Sequence, residues 1–312
     1  MFKGIFQVPF RIEDFTDVSG ECRQLARTLA DTLIVRLEDA TSETDAVVHE
    51  VRKGIKRLRA LLRLVHPVIG DEAFDQENTV LREAAHRLAG ARDRHVLEKT
   101  FAGLGEELLA RLSSEEVVAL GATLDRSLGE VGQPPQDSDI AAVRSALMGF
   151  GLRTRTWIFA TDGWEALTPG LALTYGKGRQ AMERALRKPT TEDLHAWRRR
   201  VKDLWHQHEL LANLWPEVFT VLAEQVHALS DALGDDHDLG LLAEVLTPCE
   251  APQVACAQFF ALIDERRSAL QTTARLLGHR LYAEKPSRFV RRLTHYRKAW
   301  NAPAVSREAV LA

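Results

Sequence analysis

The chain has 312 residues, 45% of them hydrophobic and 27% charged, which is enough to bury a core in one or two domains. A formal net charge of −3 argues against a bulk nucleic-acid binder, although that average hides local fields, and the basic residues here are gathered in segments. The three cysteines, Cys22, Cys249 and Cys256, have no metal-ligand spacing and no even framework, so each is expected to be a small buried hydrophobe in a reducing compartment.

The stretch from Met1 to Gly20 lacks the apolar run of about 7 to 15 residues of a signal peptide. No window of about 18 apolar residues is present to span a membrane, so the expected location is cytoplasmic. From Cys22 to Glu38 the leucines Leu25, Leu29, Leu33 and Leu37 recur every four residues and predict a first helix. The next predicted helix, Val48 to Val65, reads VHEVRKGIKRLRALLRLV. At about 100° per residue, Val51, Ile55, Leu58, Leu62 and Val65 share one stripe, while His49, Arg52, Lys56, Arg59 and Arg63 share another. A solvated helix usually mixes its charges, because like charges at i, i+4 oppose it. Here six basic residues lie from Arg52 to Arg63 and the only acid nearby is Glu50. That pattern fits an extended polyanion or several phosphate groups as partner, with a merely basic solvated face as the alternative.

Pro67 is expected to close this helix and Asp71 to cap the following one, which runs toward Arg87. Gly90 then marks a turn or a close approach before Arg92 and Asp93. Short helices near Phe101 and from Glu115 to Leu128 precede GEVGQPPQDSD, Gly129 to Asp139, the best linker in the chain. It divides a first half, residues 20–131, from a second, residues 138–302. The second half opens with Ile140 to Phe159, then GLALTYGKGRQAMERAL, in which Gly176 and Gly178 allow a close approach or a kinked, solvated turn. The last helix, Lys285 to Trp300, has Lys285, Arg288, Arg291, Arg292, Arg297 and Lys298 with no acid between them, and Phe289, Leu293 and Tyr296 as a packing stripe. No strand-like alternation of useful length interrupts the pattern, so the class is all-α.

The basic helix has a second copy. In LHAWRRRVKDLWHQHELL, Leu194 to Leu211, His195, Arg198, Arg199 and Lys202 stand at the offsets of His49, Arg52, Lys53 and Lys56, 146 residues earlier. LAGARDRHVL from Leu88 is likewise echoed by LGDDHDLGLL from Leu233, with Arg92 and Asp93 opposite His237 and Asp238. Such repetition implies two similar halves. The motifs HxxRKxxKRLRxxLR at His49, LxGxRDxxVL at Leu88, HxxRRxVK at His195, LGDDHDLxLL at Leu233 and the closing EKPSRFVRRLTHYRKAW together resemble the CHAD domain family over nearly the whole chain. The second copy departs from a symmetric pattern, carrying Asp203, Trp205 and Glu209 where the first has Arg57, Arg59 and Arg63.

The resemblance implies two helical bundles related by a pseudo-twofold axis, forming one domain whose basic helices face a central groove or pore that binds inorganic polyphosphate. The residues it assigns to polyphosphate are His49, Arg52, Lys53, Lys56, Arg57, Arg59, Arg63, Arg92, Lys177, Arg179, His195, Arg198, Arg199 and Lys202, with Lys285 and Arg288 as rim contacts. Asp93 and Asp238 would orient the cations; for Arg92 and Asp93 a local ion pair or cap is the alternative. Trp197 and Trp205 are read as core anchors rather than base-stacking platforms. His49 and His195 would tie affinity to pH, since adjacent cations lower an imidazole pKa and a bound phosphate raises it. The expectation is thus a non-catalytic module with no cofactor, no metal and no specific nucleic acid, serving localisation, storage or sensing of polyphosphate, at granules of the polymer. Two other readings use the same residues. His208, His237, Asp238 and Asp264 follow the loose H, HD, D order of metal-dependent phosphohydrolases, and a helical adaptor could turn the basic face to an acidic protein.

Overall fold

The computed structural model describes residues 9–38, 44–88, 90–129, 135–247, 249 and 251–301, with the backbone alone for 44–45, 90–93 and 300–301. The described residues form twelve α-helices and no strand: α1 (Val18–Glu38), α2 (Thr44–Ile69), α3 (Asp71–Arg87), α4 (Gly90–Gly103), α5 (Gly105–Leu109), α6 (Ser114–Ser127), α7 (Asp137–Arg153), α8 (Thr168–Arg187), α9 (Thr191–Leu210), α10 (Pro216–Val245), α11 (Gln253–Leu281) and α12 (Pro286–Asn301). The all-α class is therefore correct. None of these helices is long and apolar enough to cross a membrane.

Helix α2 is the strut of the fold. Its apolar stripe of Val51, Ile55, Leu58, Leu62 and Val65 is buried to 1% exposure or less, and it packs on α1 and α3 on one side and on α8 and α9 on the other. The crossing with α8 is unusually close, since a Cβ at Gly170 would overlap the Leu64 carbonyl. Helices α8, α9 and α10 then pack in succession, with α11 folded back on α10 and α12 laid on α8.

Packing does not follow the linker. Helix α7, which lies after it, fits Val143, Leu147 and Phe150 into the core beside α1 and α3. Leucines of α4, α5 and α6, which lie before it, form a separate core with Leu239 and Leu242 of α10 and Phe259 and Leu262 of α11. Short helices such as α5 bury apolar side chains, here Leu108, only against longer neighbours. Core contacts among the described residues thus cross the linker in both directions.

Other local expectations change too. Helix α2 runs two residues past Pro67, because a proline in the last turn forfeits only its bond to the carbonyl four residues back. Gly70, at φ 85°, rather than Asp71, occupies the N-cap of α3, and Asp71 instead meets His66 Nε2 at 2.7 Å. Gly176 and Gly178 sit inside continuous helix α8, not in a kinked turn; the Tyr282 ring fills the space a Cβ at Gly178 would need. Cys249, in the segment after α10, forms a disulfide with Cys256 of α11, with Cα atoms 6.2 Å apart, which corrects the expectation of three isolated thiols. Only Cys22 is a buried free cysteine, and the cysteine count no longer supports a reducing compartment.

Gly170→Ala is expected to force α2 and α8 apart and to cost about 3 kcal/mol, as overpacking a tight contact does. Urea unfolding of the variant measures this, and a loss within 0.5 kcal/mol, roughly the spread of neutral surface changes, would show that the crossing can relax.

Candidate functional site

The contact of α2 with α8 and α9 leaves a cavity of about 940 Å³, walled also by α3, α4 and α10. Because the apolar stripe of α2 is fixed in the core, Arg52, Lys56, Arg59, Arg63 and His66, spaced by threes and fours, turn together into it. Helix α9 contributes His195, Arg198, Arg199, Arg200 and Lys202 in the same way, α8 adds Lys177 and α3 adds Arg82. Against these ten lysines and arginines the lining holds two carboxylates, Asp203 and Asp238.

Crowding is most marked at Arg59. Burial, then the neighbouring Arg63, Arg82 and Arg199, push its pKa down to about 10, with only Asp203 acting against them. Its Nε donates to Asn78 Oδ1 at 3.2 Å, a neutral partner. Asp203, 5% exposed, accepts from Arg63 Nη1 at 2.7 Å and from Arg200 Nη1 at 3.4 Å. It therefore fixes two guanidinium groups at the α2–α9 joint while cancelling only part of their charge. Arg52 donates to the Leu88 carbonyl at 2.6 Å, tying α2 to the end of α3. Arg198 lies flat against α10, where a Cβ on Gly234 would come 2.6 Å from its Nη2. A side chain at position 234 would therefore displace Arg198.

The imidazole that faces His195 is His237, not His49. Their rings are 4.3 Å apart at the cavity wall. Burial, then His237, Arg199, Arg198 and Lys202, hold His195 down at about 4, so the ring is neutral at pH 7. Burial also lowers His237, with Asp238 opposing and Arg198 adding to the effect.

Of the residues expected from sequence, Arg52, Lys56, Arg59, Arg63, Lys177, His195, Arg198, Arg199, Lys202 and Asp238 meet in this one cavity. The other described ones lie elsewhere. His49 and Lys53 are exposed on α2 and outside the lining. Arg57, one position off the cavity stripe, pairs with Glu209 at 2.8 Å and covers the Phe10 ring at 5.4 Å. Arg179 bonds Glu183 at 3.1 Å and the Glu284 carbonyl at 2.9 Å. Lys285 and Arg288 are exposed on or beside α12, outside the lining. The side chains of Arg92 and Asp93 fall outside the described residues.

Sequence reasoning missed Asn78 and Arg82, although Phe74, Asn78 and Arg82 stand four apart and present one stripe of α3 to the cavity. It also passed over His66, Arg200 and His206, which share the turns of residues it did select. Trp197 is fully buried and Trp205 stacks on His206 at 4.8 Å; neither lines the cavity. His208 is packed between Phe219 and Phe289, at 5.6 and 6.4 Å, rather than beside His237 at the cavity. Among the described residues no three His, Cys, Asp or Glu side chains are grouped to hold a metal ion.

The fold and this site define an all-α protein built around a polybasic cleft. The CHAD domain family model matches residues 23–247, most of the chain, and the chain belongs to that family. The matched region ends with α10, leaving α11 and α12 outside it. No curated protein and no solved structure matches the sequence.

Burial holds His208 at about 4, against 6.5 for a free imidazole. The folded state therefore favours the neutral ring; its contribution is complete above pH 6.5 and is lost as pH falls toward 4, by roughly 3 kcal/mol. Thermal melts between pH 7 and 4 should show this loss, and His208→Leu should flatten the curve. An unchanged slope in the variant would assign the acid sensitivity to other groups.

Proposed function

We propose that the cavity binds inorganic polyphosphate and holds it without turning it over. The observation that carries this reading is the imbalance of ten lysines and arginines against two carboxylates inside one cleft. A single phosphate would use few of these groups. The α2 stripe from Arg52 to His66 extends about 21 Å, at 1.5 Å per residue, which suits a linear chain of phosphates. Guanidinium forks grip phosphate oxygens bidentately while lysine supplies a mobile point charge, so a repeating polymer can be held without a unique register. Among the described residues the lining contains no tryptophan or tyrosine, and Phe74 is already stacked on His66 at 3.7 Å. On this reading the two carboxylates position cations, Asp203 directly through Arg63 and Arg200, and the protein serves to store, localise or sense the polymer in the cytoplasm, at granules of it.

Calorimetric titration with polyphosphate, DNA and ATP tests the reading. Polyphosphate should bind tightest, and its affinity should fall steeply with salt, because a neutralised polyanion releases condensed counterions. Arg199→Gln should weaken binding about tenfold, the worth of one charge-assisted hydrogen bond, while Lys53→Gln, outside the lining, leaves it unchanged. Equal affinity for DNA, or equal losses in the two variants, would defeat the proposal.

A further inference from the structure

Cys249 and Cys256 stand at a joint on which two cavity walls depend. The C-terminal half of α10 has two sides: His237, Asp238, Leu241 and Val245 line the cavity, while Leu239, Leu242 and Leu246 are buried with Ala255, Phe259 and Leu262 of α11 in the second core. Leu97 of α4 belongs to both the lining and that core. The walls formed by α4 and α10 are therefore held by a core built in part from the short helices α5 and α6. The disulfide fastens the segment after α10 to the first turn of α11, at the edge of the same core.

The bond is placed for reversible opening. Both of its cysteines are half-buried, whereas Cys22 is fully buried, and exposed disulfides are the labile ones. Cys256 is the fourth residue of α11, where the N-terminal end of the helix favours a thiolate. Reduction keeps the apolar contacts of α10 with α11, so opening the bond loosens the joint without abolishing the fold. The pair lies just beyond residue 247, where the family match ends. In the cytoplasm, the location proposed for this protein, a disulfide is usually transient and redox-sensing.

We propose that Cys249 and Cys256 form a redox clip, a substrate for a dithiol reductant, whose opening loosens the second core and the cavity walls it supports. A thiolate of the dithiol attacks Cys249 Sγ, the bond between the two cysteines breaks, and Cys256 leaves as a thiolate that takes up a proton. The donor's second thiol then attacks the mixed disulfide and frees Cys249, and the donor departs as its own disulfide. Two electrons and two protons pass to the pair. With Cα atoms 6.2 Å apart, the two positions are within disulfide reach, so an oxidised donor re-forms the bond. The effect on polyphosphate rests on the cavity being its site; the loosening of the second core does not.

The test poises the full-length protein in mixtures of reduced and oxidised dithiothreitol. Alkylation and mass spectrometry read the bond, with hydrogen exchange and polyphosphate titration in parallel. Opening should speed amide exchange in α4 to α6 and at the start of α11 by about tenfold, within the range that one short-loop disulfide contributes, and leave α2 and α8 unchanged. Polyphosphate affinity should fall about threefold, the cost of ordering one loosened side chain. Cys256→Ser should show the loosened behaviour without reductant and lose the response to dithiol, while Cys22→Ala keeps that response. A bond that does not form in oxidised dithiothreitol, exchange that reduction leaves unchanged, or equal speeding across α2 and α8 overturns the clip. Faster exchange with unchanged affinity overturns its effect on the cavity walls. If the protein binds no polyphosphate in either state, the cavity reading fails and the exchange measurement alone decides the clip.

Discussion

Mutual repulsion among cations at the joint of α2 and α9 is the constraint on which the rest of this structure turns. Arg59 stands among Arg63, Arg82 and Arg199, partly withdrawn from water, with its proton held less firmly than that of a free guanidinium. Such a cluster opposes folding unless something else fixes the helices. The apolar stripe of α2 and the glycine-mediated crossing of α2 with α8 do that. Burying a leucine or isoleucine side chain contributes about 1.5–3 kcal/mol, so one such stripe outweighs the repulsion of several half-screened charges. The cluster is therefore held in place by core packing, and an anion placed among these cations would relieve their repulsion.

The same arrangement explains why the carboxylates sit where they do. Asp203 ties α9 to α2 through Arg63 and also holds Arg200 of its own helix. Fixing long cations beforehand reduces the entropy lost when a ligand orders them. Gly234 does comparable work through sterics, leaving a flat seat on α10 for Arg198. At His195 and His237 the cleft acts on protons instead. Burial lowers the pKa of both rings, and a phosphate between them and the arginines would favour the charged form.

Much of this was legible in the sequence because helical periodicity fixes which residues share a side. Once Val51 to Val65 is read as the buried stripe, the direction of Arg52, Lys56, Arg59 and Arg63 follows, and the same rule places Arg57 off that stripe beside Glu209. The repeat of the basic helix led to His195, Arg198, Arg199 and Lys202 for the same reason. Long-range packing was not legible. Nothing local shows that α7 returns to α1 and α3, that Asp203 reaches Arg63 across 140 residues, or that His195 meets His237 rather than the matching residue of the first copy. The disulfide was hidden too, because three cysteines do not reveal which two meet.

The account stands on a trade between stability and binding at Arg59, and thermal melts of Arg59→Met with and without polyphosphate measure it most directly. Removing the charge should raise the melting temperature of the empty protein by about 3 °C, the shift of roughly 1 kcal/mol in a chain of this size, and should largely remove the further rise that polyphosphate gives the unmutated protein. An empty variant that melts lower, with the polyphosphate-induced rise intact, would contradict the claim that uncompensated charge in this cavity is kept for an anion.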